Sequence, residues 1–173
     1  MPRGKLKPLD LEGLMAFAAR ALAARDQTSS ELRQKLRRRA EHEEDVDRAL
    51  ARLKDSGYLN DRRFADAFAA SRKHNEGFGK ARVMHDLMAR RVAPALAKQA
   101  SEAAYRETDE VAMIENFLAR KFRGKDLGAL LQKDKFLASA YRRLRGAGFS
   151  SGNSIRVLKR YAADAERLEG MEE

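Results

Sequence analysis

The sequence lacks cysteine altogether and has only three histidines among its 173 residues. Without thiols the chain cannot form disulfides or thiolate–metal sites, which suits the reducing environment of the cytoplasm. His42, His74 and His85 have no second histidine four residues away, so the usual helical zinc pattern is missing. We therefore expect neither a metal site nor a cofactor.

Long hydrophobic runs are also missing. No stretch approaches the roughly 20 apolar residues that a transmembrane helix requires. The basic N-terminal residues are not followed by the apolar segment that a signal peptide needs. On this basis we expect a soluble, cytoplasmic protein.

A sheet-forming pattern is absent as well, because no run alternates valine, isoleucine or threonine with polar residues. The chain has three prolines and 11 glycines, and it is rich in alanine, leucine, arginine, lysine and glutamate. The last five residue types all have high helix propensity. The composition therefore predicts an all-α protein.

Helix signals occur in three groups of three along the chain. Candidate caps, such as Thr28 with Glu31 and later Asn60, precede apolar residues at helical spacing. Aligning the second helix of each group on Leu36, Leu87 and Leu144 gives a period of roughly 50 residues. Units of this size bury their apolar faces by stacking on their neighbours. We predict three tandem three-helix repeats, each helix-turn-helix-like, in an elongated, curved array.

The predicted boundaries follow the breaks between the groups. We expect a flexible tail at residues 1–13, repeats at residues 14–57, 58–106 and 107–169, and a C-terminal tail at residues 170–173. The third repeat contains a loose connector at residues 123–134 and a final helix over residues 150–168. The alternative is a plain nine-helix bundle whose regularity is accidental, because leucine-centred amphipathic helices resemble one another.

Motifs of catalysis and nucleotide binding are incomplete. Around Lys80, the phosphate-binding loop pattern would need glycine at His74 and serine or threonine at Ala81. The GAG sequence at residues 146–148 follows no predicted strand and fails as a dinucleotide fingerprint. Carboxylates cluster at predicted helix starts, where the helix dipole accounts for them. We therefore expect no enzymatic activity.

The feature that remains is an excess of positive charge. Lysine and arginine number 36 against 26 aspartates and glutamates, which gives a net charge of +10 and favours a polyanion or an acidic protein groove as partner. Guanidinium groups make bidentate contacts to phosphate and carboxylate. The candidate partner-binding residues are Arg33, Arg37, Arg38, Arg62, Arg63, Arg72, Lys73, Lys80, Arg82, Arg90, Arg91, Arg142, Arg143, Arg145, Arg156, Lys159 and Arg160.

Three interpretations of these cations are open. Many charge runs are solvated helix faces without a partner. A three-helix unit could instead contact duplex DNA as a helix-turn-helix, and since the units differ at the start of the second helix, non-specific phosphate contact suits them better than base reading. Alternatively, the array lies along an extended protein or nucleoprotein surface, as repeat proteins do.

A resemblance in the middle of the sequence favours one of these interpretations. The resemblance lies in two successive segments, residues 50–72 (LARLKDSGYLNDRRFADAFAASR) and residues 77–91 (GFGKARVMHDLMARR). Together they resemble the central signature of the RecX family, bacterial regulators of the RecA recombinase. The chain is also similar to the first and third units of that family, at residues 28–36 (TSSELRQKL) and residues 136–159 (FLASAYRRLRGAGFSSGNSIRVLK). The connector at residues 123–134 departs from the pattern of the other units.

The resemblance implies three tandem three-helix repeats without catalysis. It also implies docking in the groove of a RecA filament on single-stranded DNA, which would inhibit or modulate filament growth, ATPase, strand exchange and coprotease activity in DNA repair and the SOS response. We expect a monomer that contacts RecA and single-stranded DNA, and also duplex DNA through non-specific phosphate contacts. The competing hypothesis is a stand-alone helix-turn-helix-like DNA-binding regulator.

Overall fold

The computed structural model describes residues 7–163, 165–166 and 168. These residues form helices without any β-strand, and none of the helices is long and apolar enough to cross a membrane. The prediction of an all-α protein is therefore confirmed. The helices are α1 (Leu11–Ala24), α2 (Ser29–Arg37), α3 (Glu43–Asp55), α4 (Asp61–Ser71), a π-helical turn (Arg72–Glu76), α5 (Lys80–Ala89), α6 (Pro94–Tyr105), α7 (Glu110–Lys121), α8 (Leu127–Leu131), α9 (Asp134–Gly146) and α10 (Ser151–Leu158).

Several helices begin at the polar residues that the sequence predicts as caps. Thr28 and Glu31 form a reciprocal capping box, in which each side chain accepts a hydrogen bond from the other's amide, at 3.1 and 3.2 Å. At the start of α4, Asn60 accepts from the amide of Arg63 at 2.9 Å. Because these amides have no acceptor within their own helix, the caps favour the start of α2 and of α4 at these residues.

Three separate hydrophobic cores divide the chain into units. Unit 1 comprises α1–α3, unit 2 comprises α4–α6 with the π-helical turn, and unit 3 comprises α7–α10. Leu36, Leu87 and Leu144, on which the repeat was aligned, are fully buried, each in the core of its own unit. The described helices pack mainly within their unit. A tandem helical array is thus confirmed over a nine-helix bundle, because a bundle would share one core.

The first helix begins earlier than the sequence predicts. Asp10 caps α1 by accepting from the amide of Gly13 at 2.9 Å, and the amide of Leu9 donates to the carbonyl of Arg39 at 2.7 Å. The predicted tail at residues 1–13 is therefore wrong from Leu9 onward, because a cap and a backbone bridge fix that segment to unit 1. Residues 1–6 of that tail, and the predicted tail at residues 170–173, lie outside the described residues.

Unit 3 differs from its prediction in two places. The connector contains α8, which Asp126 caps through the amide of Ala129 at 3.1 Å and whose Leu131 is fully buried. The final helix ends at Leu158 rather than continuing to residue 168. It ends there because the chain turns so that Leu168 packs on the unit 3 core from outside the helix. Unit 3 therefore has four helices instead of three.

Candidate interaction surface

Besides Arg72 and Arg82, which are described below, six of the predicted site cations pair with a carboxylate of their own unit. Most of these pairs are well exposed; the side chains of Arg62 and Asp66, for example, are 58% and 47% exposed. Exposed ion pairs contribute little to stability, but they leave the cation partly neutralised toward an incoming partner. The six pairs are Arg33–Asp47, Arg37–Glu43, Arg62–Asp66, Lys80–Glu102, Lys159–Glu166 and Arg160–Glu115.

Two predicted site arginines lie over a pair of stacked rings in unit 2. The ring centroids of Phe64 and Phe68 are 5.8 Å apart. The guanidinium of Arg90 lies 5.0 Å from the Phe64 centroid and 5.7 Å from that of Phe68, and Arg72 lies 5.1 Å from Phe68. Cation–π contacts of this kind stabilise by about 0.5–2 kcal/mol, so both arginines help to hold unit 2 together.

The aromatic row continues at Phe78, where unit 2 meets unit 3. The guanidiniums of Arg72 and Arg82 lie 5.6 and 5.4 Å from its ring centroid. The same two groups pair with the carboxylate of Asp86 at 3.4 and 2.9 Å. Arg72, Arg82 and Arg90 thus have structural contacts, and their assignment to a partner stays a prediction.

Units 1 and 2 meet through charged groups at the start of α2, which we call the 1–2 joint. Arg90 donates to both carboxylate oxygens of Glu31, at 2.6 and 3.0 Å. The hydroxyl of Thr28 donates to the carbonyl of Arg90 at 3.0 Å, and Asp61 accepts from the amide of Ser29 at 2.7 Å. The capping glutamate of α2 is therefore also the anchor between two units.

The electrostatics of the 1–2 joint favour the ionised pair. Partial burial acts to raise the pKa of Glu31, but hydrogen bonds from Arg90 and from the Thr28 amide outweigh it and hold the pKa below its ordinary value. The hydrogen bond to Glu31 raises the pKa of Arg90. Both groups are consequently charged at neutral pH, and a bidentate arginine–carboxylate pair fixes direction as well as distance.

Units 2 and 3 meet backbone to backbone, in what we call the 2–3 joint. The amide of Gly79 donates to the carbonyl of Ala147 at 2.8 Å, and the amide of Ala81 donates to that of Gly148 at 3.2 Å. A Cβ on Gly79 would lie 2.3 Å from the carbonyl oxygen of Gly148. Gly79 of GFG and Gly148 of GAG are therefore explained by a close approach of two chain segments rather than by nucleotide binding.

A cavity of about 500 Å³ lies beside the 2–3 joint. In it Glu110 accepts from the amide and hydroxyl of Ser150, at 2.9 and 2.5 Å, and from Asn153 at 2.5 Å. Burial alone would raise the pKa of Glu110, but these hydrogen bonds lower it below its ordinary value. Burial raises the pKa of Tyr105, whose hydroxyl donates to a backbone carbonyl. These polar groups are thus hydrogen-bonded, whereas the buried hydroxyl of Thr108 in the same lining has no hydrogen-bond partner among the described residues.

Among the other predicted site cations, some donate hydrogen bonds to uncharged groups of the protein and others have no ion pair in the described chain. Lys73 donates to the carbonyl of Ala104 at 2.8 Å, and Arg145 donates to that of Phe149 at 2.5 Å. With the Gln34 amide turned to face it, Arg91 donates to that side chain at 2.9 and 3.1 Å. Among the predicted site residues, the exposed cations without an ion pair in the described chain are Arg38, Arg63, Arg142, Arg143 and Arg156.

Arg38, Arg142 and Arg156 are the most available of these exposed cations, because their side chains make no hydrogen bond, ion pair or ring contact with the described residues. Arg63 donates to the carbonyl of Gly57 at 3.0 Å, and Arg143 lies over a ring. Sequence reasoning did not separate these cations from the structural ones. The acids that contact the neighbouring unit, Glu31 and Asp61, are visible in the sequence at helix starts. Because acids at helix starts are already explained by the helix dipole, their position alone did not indicate a contact between units.

The fold and the surface define the class of the protein as a tandem array of helix-turn-helix-like repeats with exposed cations on several helices. Family models described as the first and second three-helix domains of RecX match residues 15–53 and 60–100. These ranges fall within units 1 and 2, so the repeats seen in the structure coincide with the domains of that family.

Relatives give the same result. "Regulatory protein RecX" of Amycolatopsis mediterranei (strain U-32) is 33% identical over 156 residues, covering 86% of this chain and 85% of that protein. The protein of the same name from Deinococcus radiodurans is 35% identical over 88% of this chain and 69% of its own. The crystal structure of RecX from Lactobacillus salivarius shares the fold, with a TM-score of 0.67 over 88% of this chain and 97% of that one at 18% identity. The chain belongs to the RecX family of regulatory proteins.

Proposed function

We propose that this protein binds the RecA recombinase filament on single-stranded DNA and restrains its growth, ATPase, strand exchange and coprotease activity. It acts as a cytoplasmic monomer without catalysis, in DNA repair and the SOS response. Membership of the RecX family is the observation that carries the proposal. The exposed guanidiniums supply a surface suited to an acidic filament groove and to DNA phosphates.

The distribution of unpaired arginines supports a long contact rather than a single pocket. Arg38 follows α2 in unit 1, whereas Arg142 lies on α9 and Arg156 on α10 in unit 3. A partner that reached all three would have to extend along the array. A filament meets that requirement, because its repeating surface presents acids and phosphates over the length of several units.

The test replaces these three arginines and measures inhibition of RecA. We expect R38Q/R142Q/R156Q to require roughly ten times more protein to halve the single-stranded-DNA-dependent ATPase of RecA, since three exposed contacts contribute up to about 1 kcal/mol each. Folding should be unchanged, because the three side chains make no described contact.

The control is R33Q/R37Q/K159Q, which removes the same number of positive charges from residues already paired with Asp47, Glu43 and Glu166. It should inhibit like the wild type. Equal losses in both variants would show that only net charge matters and would remove the three arginines from the interface. The hypothesis of a stand-alone DNA-binding regulator would be supported instead if the wild-type protein did not inhibit RecA but bound duplex DNA tightly, with a sequence preference and an affinity that depends little on salt concentration.

A further inference from the structure

A second cationic feature lies between the π-helical turn and α7, and of its charged residues only Lys73 was among the cations predicted from the sequence. It is a depression with a volume of about 550 Å³. Four groups that carry or can acquire positive charge line it, together with the amide of Asn116, and no carboxylate is among the described lining residues. We call these four residues the phosphate site: Lys73, His74, Arg120 and Arg123.

Two cations of the phosphate site are held in place by uncharged acceptors. Lys73 donates to the carbonyl of Ala104 at 2.8 Å and lies 5.4 Å from a tyrosine ring. Arg120 donates one hydrogen bond to the carbonyl of Glu76 at 2.9 Å. Because neither bond goes to a carboxylate, both positive charges remain uncompensated. The acid nearest in sequence, Glu76, has its carboxylate paired with Arg72.

The other two groups are exposed and free to meet a ligand. His74 and Arg123 make no hydrogen bond, ion pair or ring contact with the described chain. Arg123 brings five donors in a planar fork, and His74 brings a ring donor and, when protonated, a charge. The site therefore combines two cations held by hydrogen bonds with two exposed donors around one depression.

The backbone beneath the phosphate site is unusual. Residues Arg72–Glu76 form a π-helical turn, a rare conformation that often occurs at functional sites. Gly77 ends it at a φ of 66°, and a Cβ there would lie 1.9 Å from the guanidinium of Arg120. Glycine at position 77 thus lets Arg120 reach across from unit 3 to unit 2, which fixes the site at the 2–3 joint.

We propose that the phosphate site binds the phosphodiester backbone of single-stranded DNA. Four donors around an open depression, without a carboxylate, fit oxyanions. The exposure of His74 and Arg123 favours a strand that crosses the site over a small anion, since a polyanion gains from several phosphates at once. Arginine clusters also recognise acidic peptide motifs, but Met113 and Ala119 are the only apolar side chains in the described lining, so a peptide would gain little apolar contact there.

This inference rests on the DNA part of the proposed function, and its test needs no RecA. The full-length variant H74Q/R123Q is titrated with a fluorescent oligo(dT) single strand between 50 and 200 mM salt. We expect weaker binding, and a plot of log affinity against log salt that is shallower by about 0.7 for each phosphate that the variant no longer neutralises. Both substitutions fall on side chains without described contacts, so the fold should survive.

The matched control is H42Q/R20Q, which exchanges the same residue types at exposed positions of unit 1. Its affinity and salt slope should equal those of the wild type. If both variants lose affinity alike, or neither does, the phosphate site does not contact DNA and the proposal fails. RecA inhibition measured separately on H74Q/R123Q distinguishes that failure from failure of RecA binding.

Two competitors identify the occupant. Inorganic phosphate should displace the oligonucleotide no better than sodium chloride at equal ionic strength. Stronger displacement, abolished in H74Q/R123Q, would identify a small-anion site and overturn the proposal. A poly-glutamate peptide should bind wild type and variant equally; weaker binding to the variant, with unchanged DNA binding, would identify an acidic protein segment as the occupant instead.

Discussion

At the scale of single residues, arginine has three different environments in this protein. Arg38 faces solvent, Arg37 pairs with an exposed glutamate, and Arg90 lies between a carboxylate and two phenylalanine rings. The environment determines how much a substitution lowers the free energy of unfolding. Replacing an exposed arginine removes only a solvated charge, whereas replacing Arg90 removes hydrogen bonds and ring contacts together.

Phe64 is a core residue of unit 2. Its side chain is buried, stacks on Phe68 and contacts the guanidinium of Arg90. We expect Phe64→Ala to lower the free energy of unfolding by about 3–5 kcal/mol, measured by urea denaturation. Tyr58→Ala is the control, because that ring is 72% exposed and its removal should change stability by less than about 0.5 kcal/mol. Similar values for both would place Phe64 outside the core.

At the scale of elements, glycine has different tasks in the loops and in the helices. Gly79 precedes α5 at a φ of −75°, which any residue can adopt, so its requirement is space against Gly148 and not backbone freedom. Gly152 lies in α10 with nothing near a prospective Cβ. Glycine is therefore required at position 79 for lack of space, whereas at position 152 a larger side chain would fit.

We expect Gly79→Ala to open the 2–3 joint. The added methyl group would collide with backbone atoms that cannot turn aside, at a cost of about 1–3 kcal/mol in unfolding free energy. Hydrogen exchange at the amides of residue 79 and Ala81 should accelerate, because those amides bond across the joint. Gly152→Ala should be neutral or stabilise slightly, since alanine is the better helix former. Unchanged exchange in Gly79→Ala would contradict the close approach of the two segments.

At the scale of the whole molecule, the two joints that connect the units have different chemistry. The 1–2 joint depends on ionised side chains, whereas the 2–3 joint depends on backbone hydrogen bonds between loops. Acid should therefore weaken the first joint and leave the hydrogen bonds of the second unaffected. The proposed function requires a defined angle between the units, so under that proposal the stability of each joint affects how the array meets its partner.

The pH dependence of the 1–2 joint follows from Glu31. Its pKa in the folded protein lies below the ordinary value of 4.5, so its stabilisation is fully present above that value and is lost as pH falls through the folded pKa. We expect Glu31→Gln to cost about 1–3 kcal/mol at pH 7, measured by urea denaturation. The difference from wild type should shrink below pH 4.5.

The control for this prediction is Glu12→Gln. Glu12 is 82% exposed and pairs with Arg52 at 3.3 Å, so its replacement should change stability little at any pH. A Glu31→Gln variant that matched it at pH 7 would show that the 1–2 joint does not depend on the ion pair.

The local sequence by itself determined the helices. Thr28, Asn60 and Pro94 mark helix starts in the sequence and in the structure, and Leu36, Leu87 and Leu144 are buried as their spacing indicated. Caps and apolar periodicity act between residues a few positions apart, so they can be read from the chain directly. The exceptions, α8 and the early end of α10, occur where packing on the unit 3 core outweighs the local pattern.

Tertiary structure alone decided which cations are structural and which are exposed. Arg90 and Arg38 look alike in the sequence, yet Arg90 finds its carboxylate 59 residues away and Arg38 finds none in the described chain. The phosphate site likewise joins residues 73–74 to residues 120–123 across two units. Residue types specify that a guanidinium seeks an anion, but only the packing of the units determines which anion lies within reach.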